Sequence, residues 1–136
     1  MQEAYSDHYK IIESEPYKWP TTDIVVVAAL SDSDDAKLLQ IAFCVPEKMR
    51  ISYDDIQVRL FRSQSEIRLR RMNEKQKYLS EFGSSIGKVA NATYILEGID
   101  NLKDCTSAEV DWDGTTHRFL FKSEQSTALD KSEESK

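Results

Sequence analysis

The residue pair that most constrains this chain is Asp113-Gly114. It separates Ser107–Trp112 from Thr115–Phe121, two segments of alternating character, and Asp-Gly in that place is a strong signal for a two-residue hairpin turn. The turn fixes the register. Trp112 falls opposite Thr115, Val110 opposite His117 and Ala108 opposite Phe119, all on one side. Glu109 falls opposite Arg118 on the other, a favourable cross-strand pair. A chain that contains such a unit holds at least one antiparallel strand pair.

Five earlier segments extend that sheet. Ile24–Leu30 (IVVVAAL) is β-branched and apolar at every position, which predicts a central strand. An acidic turn, Ser31–Asp35, leads into Leu38–Val45, where Leu39, Ile41, Phe43 and Val45 share one face, so the two read as a long hairpin. Ile56–Phe61 and Ile67–Met72 alternate with period two around the polar stretch Arg62–Glu66. They predict a second hairpin with Ile56, Val58, Leu60, Ile67 and Leu69 inward and arginines outward. Helix is the rival reading for 55–72, because Arg, Leu, Gln and Glu are good helix formers. Val89–Leu96 supplies another strand.

One helix is expected, Asn73–Phe82. Asn73 is a capping residue, Gln76 stands at the capping-box position, Gly83 can terminate the helix, and Tyr78, Leu79 and Phe82 form a stripe. Seven strands at fairly regular spacing with one short helix predict a mostly β domain, a small antiparallel β-sandwich or barrel. Immunoglobulin spacing is missing, since neither Trp19 nor Trp112 lies between Cys44 and Cys105. In domain terms, residues 1–22 read as an extended lead-in that packs Trp19 on the core, 23–122 as a single β-rich domain, and 123–136 as a disordered acidic tail.

Charge is the second constraint. The chain carries −6 over 136 residues, yet Asp55–Lys77 holds seven positive and three negative side chains, a local +4 that leaves −10 elsewhere. The cations Arg59, Arg62, Arg68, Arg70 and Arg71, with Phe61 among them, are the candidate partner-binding residues. Guanidinium groups suit planar recognition of carboxylates and phosphates. The net charge and a pI near 5.0 weigh against nucleic acid, whose binding is dominated by phosphate contacts, and favour an acidic protein partner. The alternative is that this face is solvated or pairs internally with Glu47, Asp54, Asp55 and Glu66.

Chemistry is harder to find. Gly83-Ser84-Ser85-Ile86-Gly87 matches the G-x-S-x-G nucleophile elbow, and His117 follows in the chain order of a hydrolase. That motif needs a strand before it and a helix after it, the reverse of the order predicted here. Asp32–Asp35 could ligate calcium but lacks the glycine and distal glutamate of an EF-hand loop. Two distant histidines and two cysteines at no ligand spacing predict no metal and no cofactor. Cys44 and Cys105 read as two buried reduced thiols, with a single disulfide as the alternative. Asn91-Ala92-Thr93 matches the glycosylation sequon.

No apolar run is long enough to span a membrane as a helix, and the N-terminus lacks the pattern of a secretory signal, so a cytoplasmic protein is the default expectation, with an extracytoplasmic one, as a processed mature chain, the alternative. The functional expectation is a non-enzymatic protein-binding module, of an inhibitor or immunity type, docking through the arginine-bearing hairpin. A nucleic-acid-binding β domain and a small hydrolase using Ser85 and His117 are the alternatives.

Overall fold

The computed structural model describes residues 10–32, 36–46, 48–83 and 88–121. Ten strands form one antiparallel sheet: β1 (Lys10–Glu13), β2 (Tyr17–Lys18), β3 (Val25–Asp32), β4 (Lys37–Val45), β5 (Ile56–Arg62), β6 (Ser65–Arg71), β7 (Ser80–Gly83), β8 (Lys88–Glu97), β9 (Ser107–Trp112) and β10 (Thr115–Leu120). Their order is β1-β3-β4-β8-β6-β5-β9-β10, with β2 also on β3 and β7 also on β8. The mostly β, antiparallel expectation holds, with ten strands in place of seven.

The sheet curls until its two ends meet. Ser14 forms a single bridge with Phe121, Trp19 Nε1 donates 3.0 Å to the Trp112 carbonyl, and the Tyr17 ring stacks on His117 at 3.6 Å. The core fills the concave side. Alternate residues of every long strand point inward: Val26, Ala28 and Leu30 from β3, Leu39, Ile41 and Phe43 from β4, Leu60 from β5, Val110 from β9 and Phe119 from β10. Trp19 is fully buried among them, and its indole N–H would be a costly orphan without the Trp112 carbonyl.

All three predicted hairpins form, β3 with β4 among them. Asp113 and Gly114 take φ of 52° and 77°, the left-handed pair that this tight turn requires, and β9–β10 has the predicted register. β5 and β6 close around Ser63-Gln64, with Leu60 opposite Ile67. The pairing then stops. β6 bends away and continues against β8, with Arg68 opposite Glu97 and Arg70 opposite Ile95. β6 therefore joins the two halves of the sheet.

The predicted helix over 73–82 does not form. Asn73 does act as a cap, accepting 3.1 Å from the Lys75 backbone N–H, but the chain makes a single turn and then extends. Tyr78 bridges Ser52, the Leu79 N–H donates to the Ile51 carbonyl, and Ser80–Gly83 pairs with β8. A ten-residue helix is marginal alone. Extension lets this segment satisfy the β8 edge that β6 leaves open beyond Tyr94. The helical elements among the described residues are single turns, Tyr53–Asp55 and Leu102–Asp104.

The thiol expectation also needs correction. Both cysteines are free, but only Cys105 is buried, and Cys44 is exposed. Burial, aided by Asp104 and opposed by Arg62, pushes the Cys105 thiol up to about 11, so it is inert at neutral pH. The acidic turn residues 33–35, Ser85, Glu47 and the tail 123–136 lie outside the described residues.

Candidate interaction face

The predicted arginines do not form one cluster. Arg59 projects outward from β5 and meets Glu109 at 3.1 Å; the same carboxylate takes Arg118 at 3.3 Å from β10. Arg118 also lies 4.8 Å over the Phe61 ring. One carboxylate thus ties three strands together. The internal partners are Glu109 and Glu97, not the acids nearest in sequence. Arg70 Nε meets Glu97 at 2.9 Å.

Arg71 points to the other side of β6, where it lies 5.0 Å over the Tyr53 ring and donates to the Gln76 carbonyl. Its strand neighbour Tyr94 packs edge-to-face on Tyr53; burial, then the nearby Tyr53, raise its hydroxyl pKa while Arg71 opposes them. Arg62 ends β5 beside Cys105, on the side opposite Arg59. Arg68 and Arg70 do project outward, but a cleft of about 360 Å³ lined by Val58, Glu66, Ile67, Arg68 and Leu69 opens where β6 leaves β5. It separates them from Arg59.

Those two arginines instead border a surface the residue pattern concealed. Where β3, β4 and β8 all pair, their outward positions fall into four cross-strand rows: Val25–Cys44–Val89, Val27–Ala42–Asn91, Ala29–Gln40–Thr93 and Ser31–Leu38–Ile95; Glu97, the next outward position on β8, lies beyond them and holds Arg70. No position in these rows carries a charge. Around them stand three large apolar side chains more than half exposed: Phe82 (61%) on β7 opposite Val89, Met72 (57%), whose N–H reaches the Thr93 carbonyl, and Ile11 (53%) on β1 opposite Ser31. Soluble proteins seldom leave so large an uncharged area uncovered.

The continuous apolar run of Ile24–Leu30 is the sequence signal for this face. Read as a central strand, it implied cover on both sides, yet its outward Val25 is exposed and Val27 and Ala29 are only partly buried. Had the outward residues of all three strands been set side by side, the missing charges would have been visible.

Of the expected hydrolase pair, Ser85 lies outside the described residues and only His117 can be placed. His117 is surrounded by Tyr17, Trp19 and Phe119, and burial holds its pKa below the ordinary histidine value. Among the described residues no group of three or more His, Cys, Asp or Glu side chains could hold a metal ion. No helix of the described residues is long and apolar enough to cross a membrane.

Compared with known proteins, the chain matches no protein family, no curated protein and no solved structure.

Proposed function

We propose that this protein is a non-enzymatic binding module that docks another protein on the outer face of β3, β4 and β8, with Arg68, Arg70 and Met72 as its rim. The observation that carries this reading is the charge-free set of outward positions on three adjacent strands. Removing such a surface from water is favourable by about 25 cal/mol per Å² of apolar area and leaves no charge to desolvate. Arginine at the edge of an apolar centre is the composition of an interface hot spot, and it suits a partner with acidic groups at its own rim.

Ala42→Lys places a cation at the centre of the face without touching the core and should abolish partner binding while the circular dichroism spectrum stays unchanged. Arg68→Glu should weaken binding several-fold and reduce its salt dependence. Arg59→Glu, across the cleft, should do neither. Binding that survives Ala42→Lys but fails with Arg59→Glu would move the docking surface to the β5–β9–β10 side and refute this assignment.

A further inference from the structure

We infer that the partner on this face is a second copy of the same chain, packed sheet to sheet about a two-fold axis parallel to the strands; this rests on the docking face proposed above. Three observations select that occupant.

First, the face is compatible with itself. A two-fold interface sets the same patch against itself, so every charge at its centre would meet its own sign nearby. The outward rows of β3, β4 and β8 have none. Second, the rim is complementary to itself in one orientation. Exposed Glu13 stands on β1 at one edge of the patch, in the row of Ala29, and Arg70 stands on β6 at the opposite edge, one row along, opposite Ile95. An axis parallel to the strands reverses strand order between copies and lays β1 of one over β6 of the other. Glu13 then faces Arg70 twice, beside the Glu97 that Arg70 already holds through its Nε. An axis across the strands would set β1 over β1 and bring the two Glu13 carboxylates together.

Third, the size is right. At about 4.8 Å between strands and about 3.4 Å per residue, the patch measures roughly 20 Å by 25 Å, on the order of 500 Å² per copy. Two copies bury on the order of 1,000 Å², the lower bound of a specific interface.

Sedimentation equilibrium over two decades of micromolar concentration tests this directly. The wild type should shift with concentration from the 15.7 kDa chain mass toward twice that value. Ala42→Lys and, independently, Val27→Lys should hold it at one chain mass, and Glu13→Arg should raise the dissociation constant several-fold. Leu120→Lys, on the distant edge of β10, should change nothing. A second readout needs no substitution: Cys44 lies in the outermost row of the face, so its reaction with a thiol reagent should slow as concentration rises.

A wild type of one chain mass throughout, with Cys44 reacting at one rate, overturns the dimer. A dimer indifferent to both lysine variants while they remain folded also overturns it, because the interface then lies elsewhere. So does binding of the dilute protein to phosphatidylcholine vesicles that Ala42→Lys abolishes, which would give the face to lipid. If the dimer fails but Ala42→Lys still abolishes capture of a different protein, the docking face stands and only its occupant is wrong. If capture too is indifferent to Ala42→Lys, the docking face itself fails.

Discussion

The two outer surfaces of this sheet solve opposite problems. On β5, β9 and β10 the outward side chains include four charges, three of which satisfy one another: Arg59 and Arg118 share Glu109, and Arg118 covers Phe61. In the four rows shared by β3, β4 and β8 the outward side chains are uncharged, and most of them are only partly buried. Beneath both lies the same core, with Phe43 under one surface and Phe119 under the other. A charged face needs only water and its neighbours. An uncharged one is stable in water but gains by being covered, and that difference, not the count of arginines, points to where a partner sits.

The comparison breaks first if the cores differ. Phe43→Ala and Phe119→Ala should each cost about 3–5 kcal/mol, since both rings are almost wholly buried and leave a cavity. Urea denaturation would measure both. If only one is severe, the two halves are not one cooperative unit.

Ion pairing is the next contrast. Glu109→Ala leaves Arg59 and Arg118 without their shared carboxylate, but both guanidinium groups are about half exposed, so the cost should be only about 1 kcal/mol and should shrink as salt rises. Ala42→Lys, by contrast, should alter the stability of the isolated chain by less than about 0.5 kcal/mol, a change typical of surface sites. A larger loss for Ala42→Lys than for Glu109→Ala would mean that the uncharged face is packed against something within the chain.

Much of this architecture is legible in the residues, for reasons that are local. Asp113-Gly114 dictates its turn by backbone sterics alone, and the period of two in 56–61 and 67–72 follows from which side chains can enter water. The failures come where a distant partner decides. Nothing near Asn73–Phe82 says that β8 has an open edge to fill, so its capping residues suggest a helix that the sheet converts to a turn and a strand. Glu109 and Glu97 lie dozens of residues from Arg59 and Arg70, beyond the reach of any local reading. The outer face of β3, β4 and β8 becomes visible only once register aligns three strands. Lys10–Glu13 and Tyr17–Lys18 join the sheet only because β3 presents a free edge to them.

The smallest expected effect sits at the seam where the two surfaces meet. His117 on β10 stacks on Tyr17 of β2 with the rings 10° from parallel, and its surroundings favour the neutral imidazole. The unfolded chain protonates near the ordinary histidine value of about 6.5, whereas the folded chain protonates only at lower pH. Between those two values the unfolded state binds more protons, so stability rises with pH there. The contribution is complete above about 6.5, declines as pH falls toward the folded value and is gone below it. His117→Phe keeps an aromatic partner for Tyr17 and removes the proton. The variant should match the wild type at pH 8 in melting temperature and exceed it modestly near pH 5.5, where the wild type bears the cost of the buried neutral ring. Identical pH profiles for the two proteins would show that His117 is solvated at this seam, and that the Tyr17 stack does not hold the ends of the sheet together.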